Sequence, residues 1–398
     1  MSHECRCWRA FSLSLSLARL PDFRISKVPA KDHEPGAARH VYNYRAAYPR
    51  YLGYERGETY YPENTDLTLT DGVWKVGEGE FAPIGSIPQV AHTNAYIDGG
   101  YAIMNEHQLS IGESTCGSKI TALPVNLGGK ALLEAGELTR LALERCDTAL
   151  CAVKLMGALA EEHGYFGADA TPGEGGEALQ VADPTDAWVF HVMADDTGAS
   201  AVWVAQRVPK GHISVVANQF VIRTVDLGDS ENFLGSSNLL DVAVRTGCWD
   251  REKDGEHVDF TRVRIAAPCL KSYRTRELSV KDGVESATWS SQGHLSPRKI
   301  AAVDTTTVGR PLFLPPQAFS LDRGHLSNYA NRRRWRIFDV AAPSLRLPAD
   351  CSTFADEYPF SVRVETAGGM EVAAALALLR DHYEGTPYDM TQGIEGGP

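Results

Sequence analysis

Asn94-Ala-Tyr-Ile-Asp-Gly-Gly-Tyr-Ala-Ile-Met-Asn-Glu-His-Gln-Leu-Ser-Ile-Gly-Glu-Ser-Thr-Cys-Gly-Ser118 reads as two apolar strands joined at a turn. Tyr101 to Met104 is apolar, Asn105-Glu106-His107-Gln108 is polar and turn-forming, and a second run starts at Leu109 and Ile111. Short apolar runs bounded by Gly and Asn favour strands. The second run closes in Ser114, Thr115 and Cys116, so it delivers two hydroxyls and a thiol to a sheet edge.

Downstream of the hairpin, Leu132, Leu133, Leu138, Leu141 and Leu143 recur at helical spacing. Asp147-Thr148 then caps a second amphipathic helix from Ala149 to Glu162, which stops at Gly164. Two consecutive helices of this kind suit a layer packed on a sheet. Residues 170–185 are glycine-rich and read as a loop; they lack the Gly-Lys-Ser/Thr of a Walker loop. A β-meander follows. Its strands are Ala187 to Met193, Ser200 to Val208 and His212 to Asn218, with turns at Asp195–Gly198 and Pro209–Gly211. Met370 to Tyr383 reads as an amphipathic helix.

At 398 residues the chain can form one large domain or two modest ones. With 39 Lys+Arg against 51 Asp+Glu it has no basic excess with which to neutralise phosphates, so a general nucleic-acid binder is excluded. The tyrosines from Tyr42 to Tyr61 read as a proline-punctuated segment wrapping the core. Eight cysteines contain no CxxC pair, which argues against a structural zinc site and predicts mostly reduced, buried thiols. No apolar run reaches the length of a bilayer span. Phe11 to Ala18 loosely imitates a signal peptide but is interrupted by serines, and the chain has no Asn-x-Ser/Thr sequon. A cytoplasmic location is therefore expected, with a secretory or lysosomal route as the alternative. There is no HExxH helix, and Gly112 to Gly117 misses the GxSxG elbow by one residue. His107 and Ser114 accordingly read as turn and strand residues, not as catalysts.

Met104 to Thr115 resembles the "NE-x-x-(L/V)-(A/S)-I-x-E-(S/T)" segment of the C69 dipeptidases, which are N-terminal-nucleophile (Ntn) hydrolases related to the animal secernins. Further segments are similar to the same family: Lys27-Val-Pro-Ala-Lys-Asp-His-Glu-Pro-Gly36, Leu138 to Tyr165, Val216-Ala-Asn-Gln-Phe-Val-Ile-Arg223, Phe260-Thr261, Tyr329 to Leu345, and Glu384-Gly-Thr-Pro-Tyr-Asp-Met-Thr391. The resemblance implies an α+β, four-layer αββα Ntn-hydrolase sandwich, incomplete at both ends. Residues 24–268 would be its first part and residues 328–398 its second, around an insertion or disordered loop at 269–327. Residues 1–23 form an atypical N-terminal segment.

The implied activity is that of a cysteine-type dipeptidase, without metal or organic cofactor, acting on a dipeptide or small amide; a homo-oligomer is compatible with it. Such enzymes attack with a Cys at the first residue of the mature chain, whose own α-amine is the base. The family's Cys-Thr start segment is missing here; Cys7 or Cys5 is the candidate nucleophile, and the alternative is a chain that lacks its nucleophile and is inactive. The resemblance further assigns Asn218 as a side-chain donor to the oxyanion and a second donor position near Thr115. Arg333, or its neighbours Arg332 and Arg334, would stabilise the catalytic Cys. The alternatives are an amidase acting on a non-peptide amide and a non-catalytic secernin-like binding protein.

Overall fold

The computed structural model describes residues 25–43, 83–99, 101–167, 175–261, 328–349, 358–366 and 369–392. Segments 1–23 and 269–327, Cys5, Cys7 and the tyrosines from Tyr44 to Tyr61 lie outside the described residues.

Along the chain come β1 (Ser26–Val28), β2 (Lys31–Asp32), β3 (Ala38–Val41), β4 (Gly85–Pro88), β5 (His92–Thr93), β6 (Tyr96–Asp98), β7 (Ala102–Asn105), β8 (Ser110–Gly112) and β9 (Thr115–Cys116). Two helices follow, α1 (Ala135–Arg145) and α2 (Ala149–His163). Next are β10 (Gly176–Ala182), β11 (Ala187–Ala194), β12 (Ala201–Arg207), β13 (His212–Ser214), β14 (Thr224–Val225) and β15 (Phe233–Gly235). The last elements are α3 (Leu239–Arg245), α4 (Arg251–Asp254), β16 (Val258–Asp259), α5 (Asn328–Ala341), β17 (Ser361–Arg363) and α6 (Val372–Leu378). The fold is α+β.

Nine strands make one antiparallel sheet in the order β1-β6-β7-β8-β10-β11-β12-β15, with β9 also paired to β10. The hairpin expected from the opening stretch is β7–β8. Its turn is built by Asn105, whose Oδ1 accepts from the backbone N–H groups of His107 and Leu109, and by Gln108 at φ 63°. The Asn105 Nδ2 donates to the carbonyls of Leu143 (3.0 Å) and Cys146 (2.7 Å), satisfying groups that the end of α1 leaves open. One side chain thus shapes the turn and fastens it to the helix layer.

The sheet is buried on both faces. Trp188, Phe190, Val192, Ala201, Trp203 and Ala205 pack toward α1 and α2 in one core. Val189, Met193, Val202 and Val204 pack into a second core with Phe220, Val221, Ile222, Leu239 and Phe260. An antiparallel strand usually wets one face, and then its sequence alternates. Here neither face is wet, which is why β11 reads as an almost unbroken apolar run. Each fully buried Leu, Val or Phe contributes roughly 1.5–3 kcal/mol.

Helix α1 starts where the Glu134 carboxylate accepts from the N–H groups of Gly136 and Glu137. Helix α2 starts on the Thr148 hydroxyl, as expected, and ends at Gly164 in the left-handed region (φ 74°). Gly157 of α2 lies flat against the Trp203 indole, where a Cβ would come within 2.3 Å of the ring.

Four sequence expectations need correction. Residues 170–185 are not a loop throughout: Gly176–Ala182 is β10, a seven-residue strand paired on both sides. Gly176 is required there, because a Cβ on it would meet the Phe220 ring at 2.7 Å. The third meander strand stops at Ser214 and pairs with β17, while β12 takes β15 as its neighbour. The Pro209–Gly211 turn, closed by the His212 N–H on the Pro209 carbonyl, carries the chain off the sheet. In addition, Cys146 and Cys151 form a disulfide joining the end of α1 to the start of α2, so the thiols are not all reduced. The free Cys116 and Cys248 are buried, as expected. The C-terminal helix is present but shorter than Met370–Tyr383.

Candidate active site

Asn218 does not end a strand. It sits four residues beyond β13, in a loop, with φ 55°. Asn tolerates this left-handed conformation better than most residues. Three contacts hold it there. Its backbone N–H donates to the Ser114 hydroxyl at 2.6 Å. Its Nδ2 donates to the Thr115 carbonyl at 2.8 Å. Its Oδ1 accepts from the Arg333 Nη2 at 2.8 Å, and the same guanidinium nitrogen reaches the Ala217 carbonyl at 3.2 Å.

These partners decide which way the amide faces. A guanidinium can only donate and a carbonyl can only accept, so the Oδ1 must lie toward Arg333 and the Nδ2 toward Thr115. An amide nitrogen carries two hydrogens. One is committed to Thr115; the other has no partner among the described residues, and the side chain is exposed to solvent. The charged donor on Oδ1 polarises the amide and strengthens that remaining N–H. The result is a fixed, polarised donor beside the end of β9.

Arg333 is delivered by α5. Trp335, Phe338 and Ala341 bury one side of that helix with Val215, Tyr358 and Val362. Gln219, next to Asn218, donates to Asn331 of the same helix at 3.2 Å. The neighbouring arginines have other partners: Arg332 lies 4.1 Å over the Tyr388 ring, and the buried Arg334 donates to the carbonyls of Tyr358 and Pro359. Thr115, Asn218 and Arg333 therefore converge, although 218 residues separate the first from the last.

Beneath the loop lies His191, which the sequence reading passed over. It is fully buried on β11, and its Nε2 accepts from the N–H groups of Val221 (3.0 Å) and Ile222 (3.1 Å). Phe220 meets it edge-on and Phe260 stacks on it. Burial, with a smaller push from Arg334, lowers its pKa to about 3. The ring is thus neutral and props up the segment that carries Asn218. A polar residue in the middle of Trp188-Val-Phe-His-Val-Met193 was the available signal.

This has a consequence for acid stability. An unfolded His titrates near 6.5 and the folded one near 3, so the unfolded chain binds the extra proton first. Stability from this group is complete above about pH 6.5 and is lost as pH falls toward 3, at up to about 1.4 kcal/mol per pH unit. His191→Gln, which keeps an acceptor but does not titrate, should flatten the pH dependence of urea unfolding between pH 6.5 and 4. An unchanged slope would show that His191 is not the titrating group.

A buried ionic frame supports the hairpin from the helix side. Arg39 bonds Glu137 at 2.8 Å and Glu144 at 3.0 Å. Arg140 bonds Asp98 at 2.6 Å, with Glu134 and Glu137 at 3.7 and 3.6 Å. All six side chains are essentially dry.

Among the internal thiols, Cys116 donates to the Ser114 carbonyl and faces the second core, away from solvent. Ser114 is buried and serves as the acceptor for Asn218, and His107 is an exposed turn residue beside Asp147. Among the described residues, no three His, Cys, Asp or Glu side chains are grouped to hold a metal ion. No helix among them is long and apolar enough to cross a membrane.

The family model described as "Peptidase family C69" matches residues 88–396, a span that contains the opening hairpin, Thr115, Asn218 and Arg333. It covers most of the 398 residues and extends into the second part of the chain, where α5 supplies the guanidinium to the hairpin edge. The chain belongs to peptidase family C69.

Proposed function

We propose that this peptidase is a cysteine-type dipeptidase working by an N-terminal-nucleophile mechanism. The observation that carries the reading is the Asn218 amide, locked between Arg333 and the Thr115 carbonyl with one N–H left over. Amide hydrolysis through a covalent intermediate needs a fixed donor of this kind where negative charge develops.

The α-amine of the mature first residue, whose ordinary pKa is about 8, takes the thiol proton. The thiolate sulfur attacks the scissile carbonyl carbon, and the carbonyl oxygen becomes an oxyanion held by Asn218. The tetrahedral adduct collapses, the C–N bond breaks, and the proton passes to the leaving amine. Water then attacks the thioester with the same α-amine as base, releasing the second product and the thiol. Cys7 or Cys5 supplies the nucleophile in this reading. The Arg333 charge, adjacent to Asn218, favours the thiolate and the oxyanion alike.

The two buried faces of the large sheet support a four-layer αββα sandwich, with α1 and α2 as one outer layer. Pairing of β13 with β17, and α5 packed against the Asn218 loop, support a single domain assembled from 24–268 and 328–398 around 269–327. The Cys146–Cys151 disulfide supports the secretory or lysosomal route over the cytoplasm, because such bonds persist in oxidising compartments.

The test is a panel of unblocked dipeptides set against N-acyl amides that lack a peptide bond. Dipeptide hydrolysis with little turnover of the amides is the expected result. Turnover of the amides alone would make the chain a non-peptide amidase. Turnover of neither, with ligand binding retained, would make it a secernin-like binding protein.

A further inference from the structure

On the helix side of β9 and β10 lies a group of acids that the ionic frame does not neutralise. The Glu113 carboxylate, half-buried, accepts from the Thr115 hydroxyl at 2.6 Å. Glu177 stands opposite Thr115 in the β9–β10 register and is fully buried. Among the described residues no ion pair reaches either acid; the Glu177 carboxyl lies within hydrogen-bonding reach of Glu113 and the Thr115 hydroxyl, but neither of its oxygens makes a hydrogen bond of good geometry. The Tyr165 hydroxyl is also fully buried and unpartnered, and after burial itself the Glu177, Glu134 and Glu113 charges are among the causes that hold its pKa well above the ordinary value. Arg39 and Arg140 are already shared among Asp98, Glu134, Glu137 and Glu144.

A buried carboxyl without a cation stays protonated. Burial, helped by the nearby Glu113, holds Glu177 well above the ordinary carboxylate range; burial pushes even Glu134 up to about 7, against the pull of Arg140. An added cation would reverse this. The carboxylates are not grouped as a metal cage, so a small hydrogen-bonding cation suits them better.

The place of this cluster names the cation. Thr115 touches both features: its hydroxyl holds Glu113, and its carbonyl holds Asn218 at 2.8 Å. In a dipeptide the free ammonium is separated from the scissile carbonyl carbon by a single α-carbon. A site that cuts next to a free N-terminus therefore needs an acid one residue's breadth from its oxyanion donor.

We infer that Glu113, backed by Glu177 and the Tyr165 hydroxyl, binds the free α-ammonium group of the substrate and makes this peptidase select unblocked N-termini. The inference rests on the dipeptidase reading for its placement, but its test does not depend on turnover. Full-length protein is titrated with L-alaninamide and with propionamide, which differ in the ammonium group. The expected result is about tenfold to a hundredfold tighter binding of alaninamide, the usual worth of a hydrogen bond to a charged group. Glu113→Gln should abolish that preference, and Glu177→Gln, a second and independent variant, should reduce it. Equal binding of the two amides by the wild type, or an unchanged preference in a folded Glu113→Gln protein, would overturn the inference. Preference for alaninamide without hydrolysis of any dipeptide would support the subsite and sink the dipeptidase reading instead.

Discussion

Asn218→Ala should lower kcat for an unblocked dipeptide about 10²–10³-fold while changing KM little, because the lost donor acts on charge that exists only in the transition state. The protein should remain folded, since the side chain is exposed and its backbone N–H still reaches Ser114. Asn218→Asp is the sharper control. It keeps an acceptor for Arg333 but replaces the donor with a negative charge at the oxyanion, so it should be at least as damaging as alanine. Arg333→Met should produce a smaller loss in kcat, by freeing the amide to rotate. Steady-state rates for the three variants, with circular dichroism to verify folding, would check the order. Equal activity of wild type and Asn218→Ala would remove this residue from the chemistry.

The second large effect concerns the fold. Arg140→Met should destabilise the protein by about 3–5 kcal/mol, read as a lowered urea midpoint. The guanidinium is dry, and its loss would leave Asp98 buried without its 2.6 Å partner and Glu134 and Glu137 less compensated. Breaking one side of a buried pair costs more than the pair itself is worth, because the surviving charge has nowhere to go. Adding Asp98→Asn to Arg140→Met should therefore recover part of the loss. A double variant no better than the single one would place the damage in packing, not in charge.

Much of this architecture was legible in the chain. The β7–β8 hairpin, the α1–α2 pair with Thr148 as cap and Gly164 as stop, and the β11–β12 hairpin follow from local periodicity and turn chemistry. What stayed hidden depends on contacts distant in sequence. Strand β10 looked like loop because it continues a glycine-rich stretch, and its Gly176 is there to admit Phe220, a residue more than forty positions on. The third meander strand looked ready to pair with β12, but its partner β17 lies beyond residues 269–327.

The site shows the same division. Thr115, Asn218 and Arg333 came from family resemblance, and no periodicity rule would have joined them. The geometry that unites them is a set of hydrogen bonds across more than a hundred residues each. Glu177 could have been noticed from the sequence alone, since it shares the phase of Leu179 and Val181 on a buried strand face. A charge in that phase calls for a partner. His191 sent a similar signal from inside an apolar run.

The central claim is that a thiol at the start of the mature chain attacks the substrate beside Asn218. The most direct measurement is intact-protein and peptide mass spectrometry after reaction with an acylating dipeptide analogue, combined with N-terminal sequencing. The account predicts one acyl group per chain, on Cys5 or Cys7 exposed as the first residue, and no label after that cysteine is changed to Ala. Dipeptide hydrolysis by a chain acylated on Cys116 or Cys248, or by one that carries no N-terminal thiol, would contradict it.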